Sequence, residues 1–208
     1  RCVFRYTTHM HPAIRYIVYG QLCLYTGLLV CAIVKPHGLI INDGISYYGN
    51  FRSTIIPYAF ALLGGAYFSI RAAEHLTQSS VKPLRYAFTA FALLAAGELA
   101  TPAFASQPVD DLHRVFGITL FSLQLLVSIW LVVRLRYAWQ AIILAVIELL
   151  AGIAAFLYLA PAHGLLLESQ VVFQVAFAAL TIYALTIMPT TTRSGHVKAS
   201  DSKTKLND

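Results

Sequence analysis

Three ionisable side chains, Glu98, His113 and Glu148, occur within long apolar stretches of this sequence. Charged groups at membrane depth are costly, so each of them needs a partner or a function. Glu98, Asp111 and His113 are residue types that serve as acid, base or water-positioning group in hydrolysis or transfer at a lipid head group, provided that they come within hydrogen-bond reach. They are the candidate catalytic residues, although Asp110 and Asp111 are also suited to capping the first turn of a helix.

Amide side chains follow the same helical phase as these groups. His113 and Gln124 are eleven residues apart, almost a whole number of helical turns, so they share a face. Gln170 and Gln174 form a comparable stripe in the last apolar stretch. Such amides either line a polar pocket or hydrogen-bond between helices as packing contacts. Glu148 is nearer the middle of its stretch, where it is either protonated and hydrogen-bonded or part of a site.

Metal, cofactor and nucleic-acid chemistry have no matching pattern in the sequence. The seven histidines and three cysteines form no HExxH or CxxC motif, which argues against a metal site. A phosphate loop and a GxSxG elbow are both lacking. Basic residues fall at the ends of apolar stretches rather than in a stripe that alternates with aromatic residues. We therefore expect no metal, no cofactor and no nucleic-acid partner.

The composition indicates a membrane protein. Of 208 residues, 58% are hydrophobic and only 12% are charged, and a mean hydropathy of +0.68 is too high for a soluble domain. A chain of this length accommodates one membrane domain. Six apolar stretches reach the roughly 20 residues that cross a hydrocarbon core. The predicted spans are 13–34, 54–75, 84–104, 112–133, 137–160 and 168–188.

The predicted fold is an all-α bundle of six transmembrane helices over 13–188, between a cytoplasmic N-terminal segment, 1–12, and a disordered cytoplasmic tail, 189–208. Basic residues set the orientation, because positive charge stays on the cytoplasmic side. One side carries Arg1, Arg5, Arg15, Arg71, Lys82, Arg85, Arg134, Arg136, Arg193, Lys198, Lys203 and Lys205, and the other carries only Lys35, Arg52 and Arg114. Both termini are therefore expected in the cytoplasm, with the plasma membrane as the expected location.

The longest polar interruption, 36–53, lies between the first two spans on the outer side, and we term it the cap segment. It mixes turn residues with large aromatic side chains that favour burial or a membrane interface. We expect a structured outer loop that packs on the mouth of the bundle, above a polar pocket. The candidate ligand-binding residues are Asn42, Asp43, Ser46, Tyr47, Tyr48, Tyr58, Glu98, His113, Gln170 and Gln174, and Gln124 and Glu148 are further intramembrane polar residues.

Small residues mark a packing face on the fifth span. Ala141, Ala145, Gly152 and Ala155 follow one another at helical spacings, with Glu148 on the same stripe. Small side chains let helix backbones approach closely, whereas leucine would serve equally well on a lipid face. This stripe is therefore predicted to face other helices.

Part of the chain resembles a known family. Ile45-Ser46-Tyr47-Tyr48-Gly49, followed by Thr54 and Pro57, resembles the "I-S-acidic-x-G … P" signature after the first span of the DRAM/Sfk-type six-span proteins, with Tyr47 where an acid is usual. A bacterial and archaeal six-span family of unknown function is similar there. His113 at the start of the fourth span also fits. The resemblance covers roughly 36–128 and implies an N-in, C-in six-helix bundle linked to lipid organisation or remodelling.

Three functions are compatible with these residues. The first is a non-enzymatic membrane protein that binds or organises lipid, or binds a partner membrane protein or a second copy of itself. The second is an intramembrane lipid hydrolase or transferase that uses Glu98, Asp111 and His113. The third is a small-solute or proton-coupled carrier with Glu98 and Glu148 as relay carboxylates at different depths. The fold alone does not decide among them.

Overall fold

The structure is a computed structural model that describes residues 11–39, 44–78, 80–102, 106–158 and 165–188. Within these ranges the chain is helical and contains no strand. The six α-helices are α1 (Pro12–Val34), α2 (Ile55–His75), α3 (Lys82–Ala100), α4 (Gln107–Arg134), α5 (Trp139–Tyr158) and α6 (Leu166–Ile187). Two short 3-10 helices, Pro36–Leu39 and Ile45–Asn50, belong to the cap segment. The predictions for 1–10, for Asn42 and Asp43, and for the tail 189–208 lie outside the described residues.

Proline positions explain where two helices differ from the predicted spans. α3 ends at Ala100 rather than at 104, because Pro102 disfavours helical backbone at Thr101. The Thr101 N–H and hydroxyl both donate to the Gly97 carbonyl, at 3.1 and 2.8 Å, which closes the helix. α4 begins at Gln107 rather than at 112, because Pro108 is well suited to the first turn of a helix. Asp110 in that first turn forms an ion pair with Arg114 at 2.8 Å.

Five of the described helices are long and apolar enough to cross a membrane. These stretches are Pro12–Val34, Ile55–His75, Gln107–Arg134, Trp139–Leu157 and Leu166–Ile187. Large apolar side chains cover their outer surfaces, for example Ile33 and Phe156, which are 72% and 71% exposed. The prediction of a helical membrane protein is confirmed at this level. α3 falls outside the five, because its 19 residues include Lys82, Arg85 and Glu98.

Successive helices pack as antiparallel neighbours around α6. α1 packs on α2, α2 on α3, α3 on α4 and α5 on α6, while α6 also contacts α1 and α4 and so closes the bundle. Half of the α6 span is buried, more than in any of the other four spans. Its buried side is too wide for an amphipathic surface helix and fits a helix surrounded by others. Helix α6 is thus the centre on which both halves of the bundle meet.

Two apolar clusters close the bundle at opposite ends. At the far end, where α1 begins, the larger cluster includes Ile14, Leu76, Leu84, Leu131 and Leu180. At the cap end the smaller cluster is formed by Leu28, Cys31, Tyr48, Tyr58, Leu62 and Leu167. Both clusters draw on several helices. Members of both clusters line the internal cavity, including Phe91 and Phe177 of the larger and Tyr58 of the smaller.

The small-residue stripe of α5 faces its neighbours, as predicted. Ala141 is fully buried and Ala145, Gly152 and Ala155 are partly buried, whereas Ile153 is 47% exposed. A Cβ placed on Gly152 would lie 3.2 Å from the Phe173 ring of α6, closer than most such contacts. Glycine at this position therefore sets how closely α5 and α6 approach.

The described part of the cap segment packs on the bundle. Tyr48 is fully buried, and its carbonyl accepts the Thr54 hydroxyl at 2.6 Å. The Tyr47 ring lies 4.8 Å from that of Phe51, between centroids, and Lys35 lies over the same phenylalanine. Gly38 is a close approach, because a Cβ there would lie 2.7 Å from both the Tyr47 and Tyr48 rings. The expectation of a structured loop that packs on the bundle is confirmed for 44–53, and its outward orientation stays a prediction.

Candidate functional site

His113 is the best-connected polar side chain beneath the cap segment. It lies in the second turn of α4 and is only 5% exposed. Its Nδ1 is 2.7 Å from the Thr101 carbonyl oxygen and 3.2 Å from that of Glu98. Its Nε2 is 2.7 Å from the Ser46 hydroxyl. Carbonyls only accept, so Nδ1 carries the proton, and in the neutral ring Nε2 accepts from the Ser46 O–H.

The end of α3 explains why an imidazole belongs at this position. The last carbonyls of a helix have no partner within it, and they carry the negative end of its dipole. Since Pro102 stops α3, the carbonyls of Glu98 and Thr101 are left for His113 to satisfy. His113 therefore joins the end of α3 to α4 and presents its second nitrogen to the cap segment.

Ser46 is held over this nitrogen from the opposite side by α6. The Ile45 N–H at the start of its 3-10 helix donates to Gln170 Oε1 at 2.9 Å. Gly44, which precedes it, has a φ of 60°, and a Cβ there would lie 2.6 Å from the same oxygen. Only glycine combines this backbone conformation with such a close approach. The position of Ser46 thus depends on both α4 and α6.

Tyr58 and Glu98 complete the polar group. Tyr58 of α2 is 4% exposed and lines the same cavity as Ser46 and Glu98. The Glu98 side chain is partly buried and rests against α4, where a Cβ on Gly117 would lie 2.7 Å from its Oε1. Glu98 therefore contacts His113 through its main-chain carbonyl, while its carboxyl lies about one helical turn deeper. We term Ser46, Tyr58, Glu98 and His113 the cap-end site.

A cavity of about 110 Å³ begins at this site and runs along the inside of the bundle. Its polar lining at the cap end comes from Ser46, Tyr58, Glu98 and Gln170. Deeper down, Phe88, Phe91 and Phe177 form an aromatic wall. The amides of Gln21, Gln124 and Gln174 also line this part, and Tyr16 and Ser69 lie near the far end. On α2 the lining extends from Tyr58 to Ser69, so the cavity is about 16 Å long at 1.5 Å per residue. It is therefore long and narrow, and its polar residues are most numerous at the cap end.

Gln124 and Gln174 form a reciprocal pair between α4 and α6. Gln124 Nε2 donates to Gln174 Oε1 at 3.1 Å, and Gln174 Nε2 donates to Gln124 Oε1 at 2.9 Å. Both side chains are at least nine-tenths buried, at 5% and 8% exposure. Although both line the cavity, each amide satisfies the other. This geometry matches the packing interpretation of these residues.

Glu148 is separate from the cap-end site. It is fully buried on α5, and it is not part of the cavity lining. Neither of its carboxyl oxygens has a hydrogen-bond partner among the described residues, although the Ser128 hydroxyl of α4 is its polar neighbour. Glu98 and Glu148 therefore do not share one internal space.

The remaining candidates lie outside the cavity. Asp111 is exposed and does not line it, so the structure brings together Glu98 and His113 but not Asp111. Tyr48 belongs to the cap-end cluster, and burial raises the pKa of its hydroxyl. Tyr47 packs against aromatic neighbours. Among the described residues no group of three His, Cys, Asp or Glu side chains is arranged to hold a metal ion.

Sequence reasoning proposed Ser46 and His113 separately and missed that they are hydrogen-bonded. They are 67 positions apart in the sequence, so no local spacing could connect them. The available signal was that both occur in the resemblance motifs. The Thr101 carbonyl was also missed, because main-chain acceptors are not visible in a pattern of side chains.

Comparison with known proteins identified no relative of this chain. No protein-family model, curated protein or solved structure matches the chain. The resemblance to the DRAM/Sfk-type proteins therefore stays a prediction. The residues and distances described above are therefore the basis for assigning a function.

Proposed function

We propose that this chain is a six-span membrane protein that binds one neutral single-chain lipid, with the polar group of the lipid at the cap-end site and the adjoining part of its chain in the internal cavity. The observation that carries the proposal is the cavity, which is long and narrow, has an aromatic wall along its middle and is richest in polar residues at the cap end. A hydrocarbon chain with a hydrogen-bonding head group suits a cavity of this kind.

The lining chemistry supports a neutral head group over a phosphate. Among the described side chains around the cavity is the Glu98 carboxyl, and none is a lysine or arginine. A phosphate would therefore lack the cationic partners that phosphates need. Hydroxyl and amide groups from Ser46, Tyr58 and Gln170 suit an ester, amide or hydroxyl instead. Monoacylglycerols and fatty alcohols have this chemistry.

For the arrangement in the membrane, we propose α3 as the sixth span. It packs between α2 and α4, and it carries lipid-compatible outer side chains such as Leu93, which is 68% exposed. With six spans, the distribution of basic residues supports cytoplasmic termini and an outward-facing cap segment in the plasma membrane. Cysteine accessibility at Ser53 and at Gln78, measured with an impermeant reagent on intact cells, tests this: only the Ser53→Cys variant should react.

Photocrosslinking tests lipid binding directly. A monoacylglycerol with a photoreactive group at the end of its chain is added to the purified full chain in detergent, and labelled peptides are identified by mass spectrometry. We expect labelling of peptides that line the deep part of the cavity, around Phe88 and Phe177. A lysophosphatidic acid probe with the same chain should label several-fold less.

Two adjacent alanines of α3 supply a matched pair of variants. Ala95 lines the cavity, whereas Ala96 is exposed on the outer surface. Ala95→Leu should reduce labelling by about tenfold or more by filling the cavity, because steric exclusion of a chain costs well over 1.4 kcal/mol. Ala96→Leu should leave it unchanged. Equal labelling of both variants, or labelling confined to the outer surface, would contradict the proposal.

A further inference from the structure

We propose that Ser46 and His113 form a nucleophile and base pair that cleaves the ester of a neutral acyl lipid bound in the cavity. This inference rests on the proposed function, since it requires an acyl chain inside the bundle. It goes beyond binding by assigning a reaction, an attacking atom and a substrate class. The inference is based on the distance of 2.7 Å between Ser46 Oγ and His113 Nε2.

The geometry around His113 is that of an oriented general base. An activated serine needs a base within hydrogen-bond reach, and the base needs a third group that fixes its ring and tautomer. Here the Thr101 carbonyl accepts from Nδ1 at 2.7 Å, so the lone pair of Nε2 is directed at the serine. A main-chain carbonyl takes the position that a carboxylate holds in a serine-histidine-aspartate triad.

The end of α3 favours the charge that His113 would acquire. When the base takes the serine proton it becomes an imidazolium. Its Nδ1 faces the last carbonyls of a helix, where the dipole is negative and a cation is stabilised. The Glu98 carboxyl lies about one helical turn deeper and, when ionised, adds to this effect. The carboxyl end of α3 thus stabilises the imidazolium, as the buried aspartate does in a serine-histidine-aspartate triad.

Substrate and water both have access to the serine. Ser46 lines the cap end of the cavity, so a chain lying along Phe91 and Phe177 would bring its carbonyl carbon to Oγ. The hydroxyl of Tyr58, which lines the cavity together with Ser46, would serve as a donor for the developing oxyanion. Gln170 uses its Oε1 to hold Ile45 and retains its NH2 group as a second donor. Ser46 itself is only partly buried.

The reaction has two balanced steps. Ser46 Oγ attacks the ester carbon while its proton moves to His113 Nε2, and the tetrahedral intermediate then collapses as the alcohol leaves with that proton. This step forms an acyl-Ser46 ester and releases glycerol from a monoacylglycerol. In the second step His113 takes a proton from water, which attacks the acyl group, and Ser46 leaves with the proton. The products are a fatty acid and the free enzyme.

The test combines covalent labelling with turnover on the full chain in detergent. An alkyl fluorophosphonate should label Ser46, identified by peptide mass spectrometry, and a monoacylglycerol should be hydrolysed. Ser46→Ala should abolish labelling, and both Ser46→Ala and His113→Gln should lower the hydrolysis rate by about 100-fold or more, within the range of general-base catalysis. The matched controls are Ser53→Ala and His37→Gln, at exposed positions of the same cap segment, and they should keep both activities.

A purely structural role for the Ser46 hydrogen bond predicts a different result. In that case wild-type protein would show neither fluorophosphonate labelling at Ser46 nor monoacylglycerol hydrolysis, and the inference would be overturned. Wild-type measurements decide this even if His113→Gln does not fold. The photocrosslinking experiment separates the two proposals. Cavity labelling without hydrolysis would overturn the catalytic inference and still support lipid binding. The absence of both cavity labelling and hydrolysis would overturn the two proposals together.

Discussion

The cap-end site and the Glu148 region are both polar and both buried, but they differ in two respects. His113 has a partner on each ring nitrogen, and the site opens into the cavity. Glu148 is fully enclosed between helices and its carboxyl oxygens have no hydrogen-bond partner among the described residues. The space for a ligand and the oriented polar partners favour the cap-end site as the functional one.

The largest effect on stability is expected at His113. His113→Ala would leave the partly buried Ser46 hydroxyl and the Thr101 carbonyl without their partner, and each such loss costs about 1–3 kcal/mol. We expect the free energy of unfolding to fall by about 3 kcal/mol, measured by denaturation in detergent. His37→Ala, at an exposed position, should change it by less than about 0.5 kcal/mol. Similar stabilities for the two variants would mean that His113 does not join the cap segment to α3.

Packing beside Glu148 should be sensitive to volume rather than to charge. Gly152→Leu would force α5 away from the Phe173 ring, and overpacking of this kind typically costs about 1–3 kcal/mol. Ile153→Leu, on the exposed side of the same helix, is the matched control and should be neutral. An unchanged melting temperature for Gly152→Leu in detergent would contradict the assignment of this face to helix packing.

The two carboxyl groups should respond differently when each is replaced by an amide of similar shape. Glu98→Gln changes the lining of the cavity and is expected to alter crosslinking of the monoacylglycerol probe by several-fold, equivalent to about 1 kcal/mol. Glu148→Gln should leave crosslinking unchanged, because this side chain lies outside the cavity lining. A larger effect of Glu148→Gln than of Glu98→Gln on crosslinking would contradict the assignment of the ligand site to the cap end.

The smallest effect concerns His11, just before α1 at the far end. Its Nδ1 accepts from the Ala13 N–H at 3.2 Å, and burial, followed by the nearby His75, lowers its pKa. Because the folded pKa is below the unfolded value, stability from neutral His11 is complete above about pH 6.5 and is lost as the pH falls through the folded pKa. We expect a loss of about 1 kcal/mol or less between pH 7.5 and 5.5, measured as a shift in melting temperature.

His11→Asn is the control for this prediction. Asparagine can cap a helix but does not titrate, so the variant should keep its stability at pH 7.5 and lose less than wild type at pH 5.5. The difference between the two chains isolates His11 from the other histidines. Identical pH dependence in both would exclude a contribution from this cap.

The sequence predicted most helix positions because each one depends on local composition. Long apolar stretches identify membrane helices irrespective of their neighbours. The predicted helix ends were wrong where proline intervened, because Pro102 shortened α3 and Pro108 lengthened α4. The charged residues of α3 leave it outside the five helices that are apolar enough to span, so the sixth span stays a prediction. The packing face of α5 was also predictable, because small residues at helical spacing allow close packing against another helix in a membrane bundle.

The sequence by itself determined the helical membrane character of this protein, the packing face on α5 and which side chains were chemically capable of a function. Only the tertiary structure decided which of them act together. It joined Ser46 to His113, paired Gln124 with Gln174, and separated Asp111 and Glu148 from the cavity. The physical reason is that helical periodicity fixes a side chain's face within one helix. Contacts between helices depend on where each helix ends, how closely its glycines allow a neighbour to approach, and which main-chain carbonyls remain unpaired.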